Sequence, residues 1–189
     1  MTQGMPRVLV PLAEGFEEIE AVTIIDVLRR ANIDVVVAGL KPGAVTGSHG
    51  IRIDTDIALE DARSEDYTLI ALPGGMPGAD HLDQDPRVRR LVQEMAAVGK
   101  IVSAICAAPK VLAGAGLLEG RRATSYPGFL DPQRAHCLED AVVTDGNLIT
   151  SRGPATAMAF ALTLVETLAG PAKRAELEQR MLVRTPASA

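Results

Sequence analysis

Ile101-Val102-Ser103-Ala104-Ile105-Cys106-Ala107-Ala108-Pro109-Lys110 decides how this chain is read, because an apolar strand gives way within one residue to a small-residue helix start. A cysteine occupies the corner. Amide N–H groups at the start of the following helix point towards its sulfur and favour the anion, which is the nucleophilic form. Pro109 supports the helix, since in the first turn its missing N–H has no intrahelical partner to lose. The geometry is that of a nucleophile elbow, although the glycines of Gly-x-Ser-x-Gly are absent. The plain alternative is a buried thiol acting as a small apolar side chain.

Outward from this corner the chain alternates strands and helices. Arg7 to Leu12 reads as a buried strand, and Glu17 to Ala31 as a helix with Ala21, Ile24, Ile25 and Leu28 at helical spacing. Ile33 to Ala38 is a second strand, followed by a β-rich excursion through Thr46 to Ile53. Tyr67 to Leu72 is a strand that ends in Pro73-Gly74-Gly75. Asp85 to Val98 reads as a helix, Val142 to Thr150 as a hairpin turning at Asp145-Gly146-Asn147, and Pro154 to Ala169 as a buried helix stopped by Gly170. The alternation predicts an α/β fold with a mainly parallel sheet covered on both faces, so ligand chemistry belongs at the carboxyl ends of its strands. Three unusual features fall at such ends: the turn after Leu12, Gly74-Gly75 after Leu72, and Cys106 after Ile105.

Composition narrows the function classes. At 189 residues the chain is expected to form a single domain, residues 1–189 with a core over about 7–182, and a frayed tail from about Thr185. It is 47% hydrophobic but only 3% aromatic, so packing rests on Val, Ile, Leu and Ala. A formal net charge of −5, without a basic run, argues against direct, tight nucleic-acid binding. No stretch is long and apolar enough to span a bilayer and no secretory signal precedes Arg7, so a soluble cytoplasmic protein is expected. Cys106 and Cys137 are read as free thiols. His49, His81 and His136 are scattered, as surface histidines would be; no metal site is expected, because His136-Cys137 lacks further spaced ligands.

An acid can be paired with the thiol. Glu20 lies one helical turn before Ile24, at the edge of the apolar face, whereas Glu17 and Glu18 suit the positive helix start. A carboxylate beside a thiolate would repel it, so a productive pair needs Glu20 protonated and donating. A helix terminus contributes up to about 2 kcal/mol, which brings a thiol of pKa about 8.5 only to about 7. The expectation is therefore a low-pKa Cys106 coupled to a raised-pKa Glu20, titrating as a pair. Gly74-Gly75, together with the Ala107 N–H, offers donors to a developing oxyanion.

Glu17-Glu18-Ile19-Glu20, Leu72-Pro73-Gly74-Gly75, Ala104 to Pro109 and Thr150-Ser151-Arg152-Gly153-Pro154 together resemble the ThiJ/PfpI superfamily, over about Arg7 to Leu182. Within it they are most similar to the branch of the Parkinsonism-associated protein deglycase (DJ-one) and bacterial YajL. The resemblance implies a flavodoxin-like three-layer sandwich, a homodimer, a reactive Cys106 partnered by a protonated Glu20, and an oxyanion site from the Gly75 and Ala107 amides. It implies either a cofactor-independent glyoxalase or deglycase acting on methylglyoxal-type carbonyls and glycated protein, or an oxidative-stress sensor and chaperone of misfolded protein whose Cys106 is oxidised to a sulfinate.

Two departures bear on chemistry. Tyr126 stands where the human branch has a histidine near the cysteine, and with Gly74 is expected to border the substrate. A phenol of pKa about 10 is a poor base at neutral pH. The protease-like branch has a histidine directly after its cysteine; here that residue is Ala107, which disfavours proteolysis through a Cys-His pair.

Overall fold

The computed structural model describes residues 5–183; the tail from Thr185 lies outside them. The strands are β1 (Arg7–Leu12), β2 (Asp34–Gly39), β3 (Ala44–Thr46), β4 (Arg52–Asp54), β5 (Ile57–Ala58), β6 (Leu69–Leu72), β7 (Ile101–Ile105), β8 (Arg122–Ala123), β9 (His136–Cys137), β10 (Val142–Asp145) and β11 (Leu148–Ser151). The α-helices are α1 (Glu18–Arg30), α2 (Gly78–Gln84), α3 (Pro86–Ala97), α4 (Pro109–Gly114), α5 (Ala157–Ala169) and α6 (Pro171–Arg180).

A seven-stranded sheet in the order β10-β11-β7-β6-β1-β2-β5 forms the middle layer. Its pairings are parallel except at one edge, where β10 runs antiparallel to β11. This is the expected α/β sandwich. The apolar runs split by period two between its faces. Val8, Val10 and Leu12 of β1 join Val35 and Val37 of β2 in the core beneath α1 and α5. Leu9, Val36, Ile70 and Leu72 join Val88, Leu91 and Val92 of α3 in the core on the other face. Strands buried on both sides need side chains that are apolar at every position, which is why these segments read as continuous runs rather than alternating ones.

Local chemistry sets the boundaries. Asp85 caps α3 by accepting from the Arg87 N–H at 2.8 Å, and Pro86 occupies the first helical position. Gly146, at φ 61°, turns the β10–β11 hairpin. The β-rich excursion is the antiparallel pair β3–β4. Two helices escape a reading by periodicity. α2 has only seven residues behind Pro77, and α6 is polar all round apart from buried Leu177. The signal available for α6 was charge spacing, Lys173 with Glu176 and Arg174 with Glu178. Among the described residues, no helix is long and apolar enough to cross a membrane.

Candidate active site

Strand order builds the site. β6 lies between β1 and β7, so the loops leaving three adjacent parallel strands open side by side: one leads into α1, one carries Gly74-Gly75, and one is Cys106. The Glu17 N–H donates to the Gly74 carbonyl at 2.9 Å, tying the first loop to the second. Glu20, in the first turn of α1, is fully buried, and its Oε2 accepts the Gly74 N–H at 2.7 Å. Its Oε1 is buried without a regular hydrogen-bond partner, and the Cys106 thiol lies within reach of the carboxyl.

Cys106 is buried, only 9% exposed. Its φ of 64° lies in the left-handed region, which a side chain rarely adopts. Two backbone bonds hold it there: the Cys106 N–H donates to the Ser151 carbonyl at 3.0 Å, and the Cys106 carbonyl accepts the Tyr126 N–H at 2.8 Å. Strand β7 therefore ends in the strained corner expected from sequence, with Pro109 opening α4. The N–H groups of Ala107 and Gly75 face the sulfur. At Gly75, with φ 92°, an added Cβ would stand 2.2 Å from the Glu17 nitrogen, so the close approach of this loop requires glycine.

Burial dominates the electrostatics. It raises the Glu20 carboxyl to about 7, against lowering by the Cys106 and Gly74 contacts, while the neighbouring Glu17 charge adds to the rise. Burial also pushes the Cys106 thiol up to about 12, and the Glu20 charge and hydrogen bond push the same way; the Ala107 and Gly75 N–H groups oppose them. This corrects the expected low-pKa Cys106: the helix start and a donating Glu20 were weighed for it, but the desolvation of the sulfur was left out. Two of the three upward causes depend on an ionised Glu20. Placing the proton on Glu20 removes that repulsion and leaves both amides favouring a thiolate.

Gly74, expected to border the substrate, gives its N–H to Glu20 and so positions the acid as well. Tyr126 is 49% exposed and joined to Cys106 through its backbone, with its ring edge-on to Phe129 at 6.1 Å. Glu18, which looked like a solvated helix-start acid, is 4% exposed and accepts the N–H groups of His49 at 2.6 Å and Ile51 at 3.3 Å. His49 also places Nδ1 2.9 Å from Glu18 Oε2. Spacing along the chain gave no signal for this latch, because its partners lie some thirty residues apart. Cys106 and Cys137 are both free; Cys137 is exposed on β9. A cavity of about 420 Å³ is bordered by Leu12, Leu40, Pro42, Val45 and His81, and Cys106 does not line it.

The model of the DJ-1/PfpI family matches residues 6–167. The chain belongs to that family. It is 42% identical to Protein DJ-1 homolog B of Arabidopsis thaliana over 185 residues, 96% of this chain but 42% of that protein, so it spans less than half the length of this relative. It is 38% identical to Glutathione-independent glyoxalase DJR-1.2 of Caenorhabditis elegans, covering 90% of this chain and 92% of that one. The crystal structure of Drosophila melanogaster DJ-1beta superposes with a TM-score of 0.91 at 42% identity, over 96% of this chain and all of the other. The fold of this DJ-1/PfpI member is thus the flavodoxin-like α/β arrangement of its relatives, with the cysteine at a strand-to-helix corner.

Proposed function

We propose that this DJ-1/PfpI protein is a cofactor-independent glyoxalase or deglycase, in which Cys106 attacks the aldehyde carbon of a small α-oxoaldehyde. The observation that carries the reading is the buried Glu20 carboxyl, held by the Gly74 N–H and set against the Cys106 sulfur with one oxygen unpartnered. A buried acid near pKa 7 can hold a proton and give it up in the same cycle. The Caenorhabditis relative, a glutathione-independent glyoxalase by name, supports the activity, and deglycation applies similar addition chemistry to a protein adduct.

With the proton on Glu20, the thiolate adds to the aldehyde carbon, and the carbonyl oxygen becomes an alkoxide facing the Gly75 and Ala107 N–H groups. Glu20 protonates it, giving a hemithioacetal. The carboxylate then removes the carbon-bound proton and passes it to the second carbonyl oxygen, and the resulting enediol becomes the thioester of a 2-hydroxy acid as Glu20 moves the proton of the hydroxyl beside sulfur to the neighbouring carbon. One water hydrolyses this thioester, releasing the acid and restoring the Cys106/Glu20 pair with one proton between them. The sum is methylglyoxal plus water to lactate and a proton.

Incubation with methylglyoxal, followed by lactate measurement, tests the reading. Slow conversion is expected for the native chain and none for Cys106→Ala; equal turnover by that variant overturns it.

The unpartnered Glu20 Oε1 favours a second reading, a cytoplasmic stress sensor and chaperone. One peroxide oxidises the thiolate to a sulfenate and a second to a sulfinate, each becoming water, and a protonated Glu20 donates to the oxidised sulfur. Either role is proposed for a single-domain homodimer. Exposed Ile19 and Val22 on α1 offer an apolar face for the second copy.

A further inference from the structure

Glu17 is only 9% exposed, and among the described residues its carboxylate has no hydrogen-bond donor closer than Ser48 Oγ at 3.5 Å. That hydroxyl has one proton and lies nearer to Glu18 Oε2, at 3.3 Å, and to His49 Nδ1, at 3.1 Å. A buried carboxylate without a donor is costly, and none of the steps proposed for Cys106 is assigned to this one. Its Oε2 is directed instead at the His49 ring, 3.6 Å from Nδ1.

The same nitrogen stands 2.9 Å from Glu18 Oε2, and the cluster offers three donor atoms within 4.8 Å of one another. Ligands held tetrahedrally at about 2.0 Å from an ion stand about 3.3 Å apart. The distances of 2.9 and 3.6 Å bracket that spacing. The frame around the donors is built in advance. Glu18 Oε1 accepts the His49 and Ile51 N–H groups, the Ser48 N–H donates to the Phe16 carbonyl at 2.8 Å, and Gly47 packs too close to Glu18 to carry a side chain. These bonds orient one carboxylate and the histidine loop against the start of α1, as outer partners of metal ligands do. The His49 side chain is 70% exposed, so the cluster is open to solvent on that side.

We propose that Glu17, Glu18 and His49 form a site for a divalent ion of the zinc class, ligated by Glu17 Oε2, Glu18 Oε2 and His49 Nδ1. One imidazole with two carboxylates suits such an ion, whereas magnesium and calcium call for a shell of six or more oxygens. The ion takes the place of the proton that Nδ1 shares with Glu18, and that proton moves to Nε2 or to water. Water completes the tetrahedron on the exposed side. Sequence spacing gave no sign of the site, because His49 and Glu18 lie 31 residues apart. Its donors take no part in the proposed thiol chemistry, so the two readings stand or fall separately.

The test uses untagged full-length protein carrying Cys106→Ala and Cys137→Ser, which leaves no thiol to compete for metal. Calorimetric titration with zinc chloride is expected to saturate at one equivalent per chain, and zinc to raise the melting temperature. Glu17→Gln, which keeps the shape of the side chain, and His49→Ala, at an exposed position, should each weaken zinc at least about tenfold and abolish the thermal shift. His81→Ala should leave both readings unchanged, and excess magnesium should not displace the zinc. Unaltered zinc affinity in either ligand variant, no saturation at one equivalent, equal weakening by His81→Ala, or displacement by magnesium overturns the site.

Discussion

Glu20 Oε2 accepts the backbone N–H of Gly74 at 2.7 Å, and a Cβ built on Gly74 would stand 2.8 Å from that same oxygen. The acid is thus held by an amide whose own residue must have no side chain. The same imagined Cβ would lie 2.8 Å from Cys106 Cβ and 3.0 Å from the Ala107 nitrogen, so one glycine sets the spacing of acid, thiol and amide.

Gly74→Ala should therefore separate the pair. Overpacking of this kind costs about 1–3 kcal/mol. The melting temperature is expected to fall by several degrees, and Cys106 alkylation near neutral pH to fall about tenfold or more. An unchanged alkylation rate would mean that the glycine serves only the turn.

Glu20→Gln keeps an acceptor for the Gly74 N–H but removes the acidic proton. If Glu20 holds the proton and donates to the thiolate, the apparent pKa of Cys106 alkylation rises by about one unit, since an amide is a weaker donor than an acid. If Glu20 instead carries the charge, its removal relieves repulsion and the apparent pKa falls. The proposed mechanism requires the rise, which the pH dependence of iodoacetamide labelling measures.

Glu18 holds the segment around His49 and Ile51 to α1. Despite the opposing cost of burial, its hydrogen bonds from the His49 ring, its own N–H and the His49 and Ile51 amides lower its pKa to about 2. A folded value below the unfolded one makes this contribution complete above about 4.5 and lost as the pH falls towards 2. Unfolding free energy should decline through that window. Glu18→Gln is expected to remove part of the slope, as denaturant titrations at stepped pH can show.

Mild peroxide should add two oxygens to Cys106 and spare Cys137, as read by intact mass and peptide mapping. Burial and the charge of Asp131 both raise the Cys137 thiol, and no acid is paired with it to hold its proton. Preferential oxidation of Cys137 would remove the sensor reading.

Most elements were legible because their signals are local. The runs at Val8–Val10 and Val35–Val37 declare strands buried on both faces, and Pro109 behind Cys106 declares a helix start. Glu20 was legible as a boundary acid on a helix that could approach the sulfur, a pairing the resemblance also implied. The Gly74 commitment, the Glu18 latch and the burial of the thiol were not legible. Each depends on groups separated by thirty residues or more in the chain or on the exclusion of water from a closed site.

The chain by itself determined the alternation of strand and helix, the corner at Cys106 and the supply of glycines after β6, since hydrophobic runs, proline and glycine act through neighbouring residues. Tertiary structure decided that β6 lies between β1 and β7, which sets Glu20, Gly74 and Cys106 at one edge. It also decided the upward shift of both the acid and the thiol, because the cost of removing a charge from water depends on everything packed around it.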